Sequence, residues 1–149
     1  MSKKIKYING IRFYRSIVVG INNLISRQDY LNQINVFPVP DGDTGTNMAF
    51  TVNEILEGTS GTVSSKIGEM SQEVADLALD GARGNSGAIL AQFFVGLSES
   101  LEGKDTMSVK DFANAFSKAS DNAWEALSNP QEGTILTIFK DLSKFLLEH

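Results

Sequence analysis

Residues 36–48 read Val-Phe-Pro-Val-Pro-Asp-Gly-Asp-Thr-Gly-Thr-Asn-Met. One glycine separates Asp41 from Asp43 in a loop that Pro38 and Pro40 stiffen, and a segment with apolar residues at helical spacing follows directly. Carboxylate oxygens are ligands that magnesium takes together with waters and substrate phosphates. The stretch therefore predicts a metal held where a helix begins. The alternative is an Asp-Gly turn whose polar residues only cap that helix, and a single motif of this kind favours it.

Two further loops have the same design. Residues 81–87 read Gly-Ala-Arg-Gly-Asn-Ser-Gly, and residues 130–134 read Pro-Gln-Glu-Gly-Thr. Each places glycine and small polar residues where a helix is predicted to begin. A helix start presents unpaired N–H groups and a partial positive charge, which suits phosphate. Each loop alone is more simply a turn, but three of them together predict a polyphosphate site with a divalent ion.

Better-known motifs do not fit these loops. An EF-hand fails because Gly45 occupies its fifth position and Val52 its twelfth, where oxygen ligands belong. A Walker A loop fails because the chain lacks Gly-Lys-Ser/Thr at these loops, and residues 84–88 lack the second glycine of a nucleophile elbow. A magnesium and polyphosphate site of less common design remains.

The composition narrows the class of protein. The chain has 149 residues, which is one domain by length, and a formal net charge of −5, so it lacks the basic footprint of a nucleic-acid binder. It contains no cysteine, and its one histidine is His149. These counts exclude disulfides, Cys/His zinc sites and Ser-His-Asp triads. No signal peptide or membrane-spanning apolar run is recognisable, so we expect a cytoplasmic location.

Helical periodicity dominates the chain and predicts an all-α fold of about six helices around one core. Asn9 is a plausible cap for the first helix, and Ser108 with Asp111 forms a pattern resembling a capping box for the fifth. Asn129 precedes a proline and should end that fifth helix. The predicted helices cover residues 11–25, 46–56, 67–79, 85 or 86 to 101, 108–129 and 134–145. No convincing strand and no internal repeat is visible.

The chain resembles the DhaL family, the nucleotide-binding domains of dihydroxyacetone kinases, and within it most closely the N-terminal domains of bacterial fatty acid kinases. The matching stretches are residues 35–48, 81–90 and 132–137, in the expected order and spacing. The resemblance covers essentially the whole chain. It implies a barrel of amphipathic α-helices that binds ATP and magnesium at one end.

The resemblance also implies roles for particular residues. Asp41 and Asp43 would hold magnesium. A third metal-binding aspartate of dihydroxyacetone-type members falls on Val36 here, so Asn35 is the nearest oxygen ligand. Arg83 would assist phosphoryl transfer. The alternatives are that Arg83 is a solvated surface residue or that it forms a salt bridge with Asp80. The residues expected to contact ATP are Thr44, Gly45, Thr46, Asn47, Gly84, Asn85, Ser86, Gly87, Gly133 and Thr134.

The function implied is a kinase that phosphorylates a fatty acid carboxylate carried by a separate lipid-binding protein. The alternatives are a dihydroxyacetone (glycerone) kinase-type domain, a non-catalytic regulatory module that responds to nucleotide, and a helical bundle with a structural divalent-ion loop. Whether the protein forms a homodimer through regions outside this chain stays an open question.

Family domains run about fifty residues longer, so we expect an incomplete barrel over residues 1–146, and whether it binds ATP on its own stays open. Residues 147–149 resemble the start of a cloning-vector histidine tag.

Overall fold

The structure is a computed structural model that describes residues 5–36, 39–59, 61 and 63–149. Pro38, which the sequence interpretation used to stiffen the first loop, lies outside these ranges. The described residues form seven helices and one pair of two-residue strands, which confirms the all-α prediction. In chain order the elements are β1 (Ile8–Asn9), α1 (Gly10–Ser26), α2 (Gln28–Gln33), α3 (Thr44–Gly58), α4 (Ile67–Asp80), α5 (Gly84–Leu101), β2 (Thr106–Met107), α6 (Val109–Glu125) and α7 (Ile135–Glu148).

The predicted caps are present at two of the helix starts. The side chain of Asn9 accepts a hydrogen bond from the backbone N–H of Arg12 and caps α1. Ser108 and Asp111 exchange hydrogen bonds in a complete capping box at the start of α6. The Ser108 hydroxyl and backbone N–H, together with Lys104, hold the pKa of the Asp111 carboxyl well below its usual range. Local chemistry therefore fixes where these two helices begin.

Three short elements, α2 and the two strands, differ from the prediction. The six-residue α2 was not predicted, because it is too short to show a helical repeat. β1 and β2 form an antiparallel pair in which Ile8 faces Met107, again too short for alternation to be visible. The end of α6 also differs, since the helix stops at Glu125 and not at Asn129. A proline restricts only the residue before it and sets an upper limit on where the helix ends.

α5 lies at the centre of the fold and packs against α3, α4 and α6. Its Phe93 ring makes an edge-on contact with Phe116 of α6, with centroids 5.1 Å apart, and lies 4.4 Å from Phe139 of α7. α4 contributes the most completely buried side chains to the core, among them Ile67, Met70 and Val74. None of the helices in the described ranges has the length and apolar character needed to cross a membrane.

The crossing of α5 and α6 requires a glycine. A Cβ atom added to Gly96 would lie 2.6 Å from the backbone oxygen of Lys118 and 2.8 Å from the Cα of Ala119. Both neighbours are backbone atoms, which cannot rotate away as a side chain can. The close approach of the two helices at this point therefore depends on the missing side chain of Gly96.

Gly96→Ala should destabilise the fold by about 1–3 kcal/mol, because the added methyl group forces two packed helices apart. The matched control is Gly20→Ala in α1, where an added Cβ has no neighbour within 4 Å. That substitution should instead stabilise by about 0.5–1 kcal/mol, since alanine loses less backbone freedom on folding than glycine. Urea denaturation of both variants measures the difference, and equal effects of the two would refute this account of the crossing.

Candidate functional site

The loop before α3 exposes two carboxylates that have no partner in the described part of the chain. Gly42 adopts a left-handed conformation with φ of 69° between Asp41 and Asp43, and both aspartates are exposed. Neither carboxylate forms a hydrogen bond or an ion pair with any other described residue. Two nearby negative charges without a positive partner disfavour one another, and a cation removes that repulsion. The loop therefore has free acidic oxygens of the kind that magnesium binds.

Asn35 caps α3 in place of an aspartate. Asp43 is the N-cap residue, but its side chain makes no capping hydrogen bond. The Asn35 Oδ1 atom accepts instead, from the backbone N–H groups of Asp43 (3.2 Å) and Thr44 (3.1 Å) and from the Thr44 hydroxyl (2.8 Å). Its Nδ2 atom donates to the backbone oxygen of Val39 at 3.0 Å, which ties the loop back on itself. The alternative in which Asp43 serves as the cap thus does not describe this loop.

Because its carbonyl oxygen already accepts these bonds, Asn35 could ligate a metal only by releasing some of them. Its role as a metal ligand stays a prediction. Among the described residues there is no group of three or more His, Cys, Asp and Glu side chains suited to a metal ion. An ion on Asp41 and Asp43 would therefore complete its ligand shell with amide, water or phosphate oxygens.

α2 holds the next residue of the site. The Asn32 Oδ1 atom accepts from the Thr46 backbone N–H at 3.0 Å, and its Nδ2 atom donates to the Thr46 hydroxyl at 3.0 Å. Gln28 donates to the same hydroxyl at 3.2 Å. A hydroxyl has two lone pairs and one proton, so two donors leave Thr46 only its proton to offer. An acceptor such as a phosphate oxygen matches that proton. Gly45 lies between Thr44 and Thr46. A Cβ atom added to it would collide with the backbone oxygen of Gln28, so α2 and α3 are in close contact here.

The sequence predicted unpaired N–H groups at the start of α3, and for most of this turn that expectation is wrong. The N–H groups of Asp43, Thr44 and Thr46 bond to the two asparagine side chains, and that of Asn47 bonds to the Asp43 backbone oxygen at 2.9 Å. Gln28 and Asn32 had no motif to mark them, because they act from a helix that was not predicted. Phosphate contacts on this side would therefore come mainly from side chains.

The start of α5 retains its free donors. Arg83 is the N-cap residue, and its side chain makes no capping hydrogen bond. The backbone N–H groups of Gly84, Asn85 and Ser86 have no acceptor within the described ranges, and the first N–H of the helical ladder is that of Gly87, 3.1 Å from the Arg83 oxygen. Three unpaired N–H groups at a helix start, with the positive end of the helix dipole, form an anion-binding surface.

α3 and α5 meet at these starts. Gly84 has φ of 64°, and a Cβ on it would lie 2.6 Å from the Asn47 Nδ2 atom. The Thr51 hydroxyl donates to the Asn47 backbone oxygen at 2.8 Å and accepts from the Arg83 backbone N–H at 3.2 Å. Ser86 reaches back to the Thr44 backbone oxygen over a long 3.4 Å. The first and second predicted loops are therefore neighbours, and Thr51 is a structural residue that the sequence interpretation missed.

Arg83 stacks on an aromatic ring at this junction. Its Cζ atom lies 3.5 Å from the centroid of Phe50. It forms no salt bridge with Asp80 or with any other carboxylate in the described part of the chain. The structure thus does not contain the Asp80 salt bridge considered as an alternative, and the role of Arg83 in transfer stays a prediction.

The third loop is bonded mostly within itself. Thr134 accepts from the Leu136 N–H at 3.3 Å, and the Gly133 N–H bonds to the Thr137 hydroxyl at 2.9 Å. The Thr137 hydroxyl and then Lys140 lower the pKa of the Glu132 carboxyl. No hydrogen bond between described residues joins this loop to the other two. The placing of Gly133 and Thr134 beside a nucleotide remains a prediction from the resemblance.

Comparison with known proteins gives a family and several relatives. A family model described as "DAK2 domain" matches residues 38–148. An uncharacterized protein of Staphylococcus epidermidis is 42% identical over 145 residues, which is 97% of this chain and 26% of that protein. One of Staphylococcus saprophyticus is 45% identical over 134 residues, covering 90% of this chain and 24% of that protein. The chain thus spans about a quarter of the length of the relatives it matches.

Asn35→Ala should destabilise the fold by about 1–2 kcal/mol, because it removes the cap of α3 and leaves two or more donors without an acceptor. Asn23→Ala is the control, since Asn23 is exposed on α1 and its side chain has no partner among the described residues. We expect that control to change stability by less than about 0.5 kcal/mol. Urea denaturation measures both, and a neutral Asn35→Ala would show that the cap contributes nothing.

Proposed function

This chain belongs to the DAK2 domain family, the DhaL-type domains of the dihydroxyacetone kinase family, and from this we propose that it binds ATP with magnesium where α3 meets α5. We further propose that it transfers the γ-phosphate to a fatty acid carboxylate presented by a separate lipid-binding protein. Its relatives are much longer than this chain, so the transfer reaction is proposed for the protein of which such a domain is part.

One observation carries the proposal. Asn35 caps α3 in place of the Asp43 side chain, and neither Asp41 nor Asp43 has a side-chain partner among the described residues. Both aspartates stand in the loop that leads into the α3–α5 junction. A carboxylate pair with no protein partner favours a bound cation over a structural turn. The free N–H groups of α5 lie across that junction and supply donors for a phosphate.

The residues present fit a magnesium–phosphate ligand. Asp41 and Asp43 would hold magnesium, which when bound neutralises phosphate charge during transfer. The first turn of α5 donates N–H groups to phosphate oxygens, and the Thr46 hydroxyl offers its one free proton. Phosphoryl transfer needs mainly such positioning and neutralisation, so the chain requires no covalent nucleophile of its own.

A carboxylate can accept the phosphoryl group without the help of a general base. In the proposed step a carboxylate oxygen forms a bond to the γ-phosphorus, the bond from that phosphorus to the β–γ bridging oxygen breaks, and ADP leaves with the electron pair. No proton has to be removed, because the fatty acid is already ionised at neutral pH. The one histidine of the chain, His149, stacks on Phe145 in the last turn of α7. A hydroxyl acceptor such as dihydroxyacetone would in contrast benefit from a base.

Magnesium–ATP should stabilise the 149-residue chain. At a ligand concentration of about 100 times Kd the gain is about 2.7 kcal/mol, which in a chain of this size raises Tm by roughly 5–10 °C. Asp41→Asn and Asp43→Asn should each remove most of that rise. Without ligand both variants should unfold at the wild-type temperature or above it, because neither carboxylate makes a structural contact.

The control is Asp121→Asn, an exposed aspartate of α6 without a partner in the described structure. It should keep the full rise in Tm. A rise that magnesium alone produces, unchanged by ATP, would identify a structural divalent-ion loop and contradict the nucleotide site. Loss of stability in the ligand-free Asp41→Asn variant would show that Asp41 is structural.

Acyl phosphate formation tests the acceptor. A full-length protein that contains this domain, together with magnesium–ATP and a lipid-binding protein loaded with fatty acid, should convert hydroxylamine to a fatty acyl hydroxamate, because acyl phosphates acylate amines. Omitting the lipid-binding protein should abolish the product, and Asp43→Asn should reduce it at least about ten-fold. Phosphorylation of dihydroxyacetone without hydroxamate would assign the other acceptor, and binding of ATP without either product would point to a regulatory module.

A further inference from the structure

The guanidinium of Arg83 lies over the aromatic ring of Phe50. The Cζ atom lies 3.5 Å above the ring centroid, well inside the roughly 6 Å over which a cation and an aromatic face attract. The Phe50 side chain is 42% exposed, so this is a surface contact and not part of the core. A long charged side chain at the surface otherwise samples many rotamers, and the ring modestly favours those that place the guanidinium over it.

Stacking leaves the arginine able to bind an anion. A guanidinium is planar and carries five N–H donors along its edge, while the ring contacts only its face. Arg83 forms no side-chain hydrogen bond or ion pair with any described residue, so those edge donors are available. The guanidinium is held in place without losing its donors.

The same turn of α3 fixes both the backbone and the side chain of Arg83. Thr51 accepts the hydrogen bond of the Arg83 backbone N–H at 3.2 Å, and Phe50, one residue earlier, carries the guanidinium. The next three N–H groups along the chain are the unpaired donors of the first turn of α5. The guanidinium that stacks on Phe50 therefore belongs to the residue that directly precedes the donors that we assign to phosphate.

We propose that Phe50 is a positioning residue that holds the Arg83 guanidinium against the phosphates of bound magnesium–ATP. This inference rests on the proposed nucleotide site and names the residue that orients its cation. Phe50 would act through Arg83 and would not contact the nucleotide itself.

A double-mutant cycle tests this, with Kd for magnesium–ATP measured by calorimetry. Phe50→Leu keeps an apolar side chain but removes the aromatic face, and should raise Kd about two- to five-fold. Arg83→Met should raise it about ten-fold or more, since it removes a charge-assisted contact. In the Arg83→Met background Phe50→Leu should have no further effect, because the guanidinium that it orients is absent. Phe50→Tyr keeps the ring and should restore tight binding.

Inorganic tripolyphosphate with magnesium gives the second readout. If Phe50 acts through Arg83, Phe50→Leu should weaken tripolyphosphate and ATP by the same factor. If Phe50 instead stacks on the adenine base, the loss should be confined to ATP and should persist in the Arg83→Met background, which overturns the proposal. The control is Phe145→Leu on α7, where the ring is also exposed and stacks on His149; we expect it to leave both Kd values unchanged.

The outcomes separate this inference from the site it rests on. A wild-type chain that binds magnesium–ATP, with equal losses from Phe50→Leu in the presence and absence of Arg83, overturns the positioning role alone. Failure of the wild-type chain to bind either ligand overturns the nucleotide site and the positioning role with it. A loss of Tm in ligand-free Phe50→Leu that tracks the loss of binding would assign Phe50 to the structure of α3 and also overturn the proposal.

Discussion

The site depends on the capping of α3 by two asparagines that lie outside that helix. Asn35 accepts from the N–H groups of Asp43 and Thr44, and Asn32 accepts from the N–H of Thr46. Backbone N–H groups at a helix start need acceptors, and the usual acceptor is the side chain of the N-cap residue. Because amides from elsewhere take this role, the carboxylate of Asp43 is released from it. The acidic pair is then available for a ligand without loss of the helix start.

The two helix starts at the junction offer different groups to a ligand. Most of the N–H groups in the first turn of α3 are already bonded, so α3 offers mainly side chains, whereas α5 offers unpaired N–H groups and the guanidinium of Arg83. The Thr51 hydroxyl bonds to the backbone of Asn47 in α3 and to that of Arg83 before α5, and so links the two helix starts. A protein with a net charge of −5 repels a polyphosphate at long range. The proposed binding of a polyphosphate would therefore depend on such short-range donors and on a cation.

Much of the fold could be predicted from single segments of the sequence. Helices α1, α3, α4 and α5 begin and end within about two residues of the prediction, because periodicity, caps and glycines act locally. Helix α7 ends three residues later than predicted. α2 and the pairing of Ile8 with Met107 could not be predicted, since two to six residues carry no measurable repeat. The candidate residues Asp41, Asp43 and Gly84 stand out by type and spacing. Asn32, Thr51 and Phe50 do not, because their roles arise only from partners that are distant in sequence.

The sequence by itself determined that this chain is helical, that it has no cysteine or internal histidine for catalysis, and that its first two loops carry acidic and glycine-rich motifs at helix starts. These are properties of residue type and spacing. Only the tertiary structure decided which donors at those starts are free. At the start of α3, Asn35 bonds to the N–H groups of Asp43 and Thr44, and Asn32 of α2 bonds to that of Thr46. The N–H groups at the start of α5 are unpaired because no described side chain reaches them. Hydrogen-bond satisfaction depends on neighbours brought together by folding, so a local motif cannot specify it.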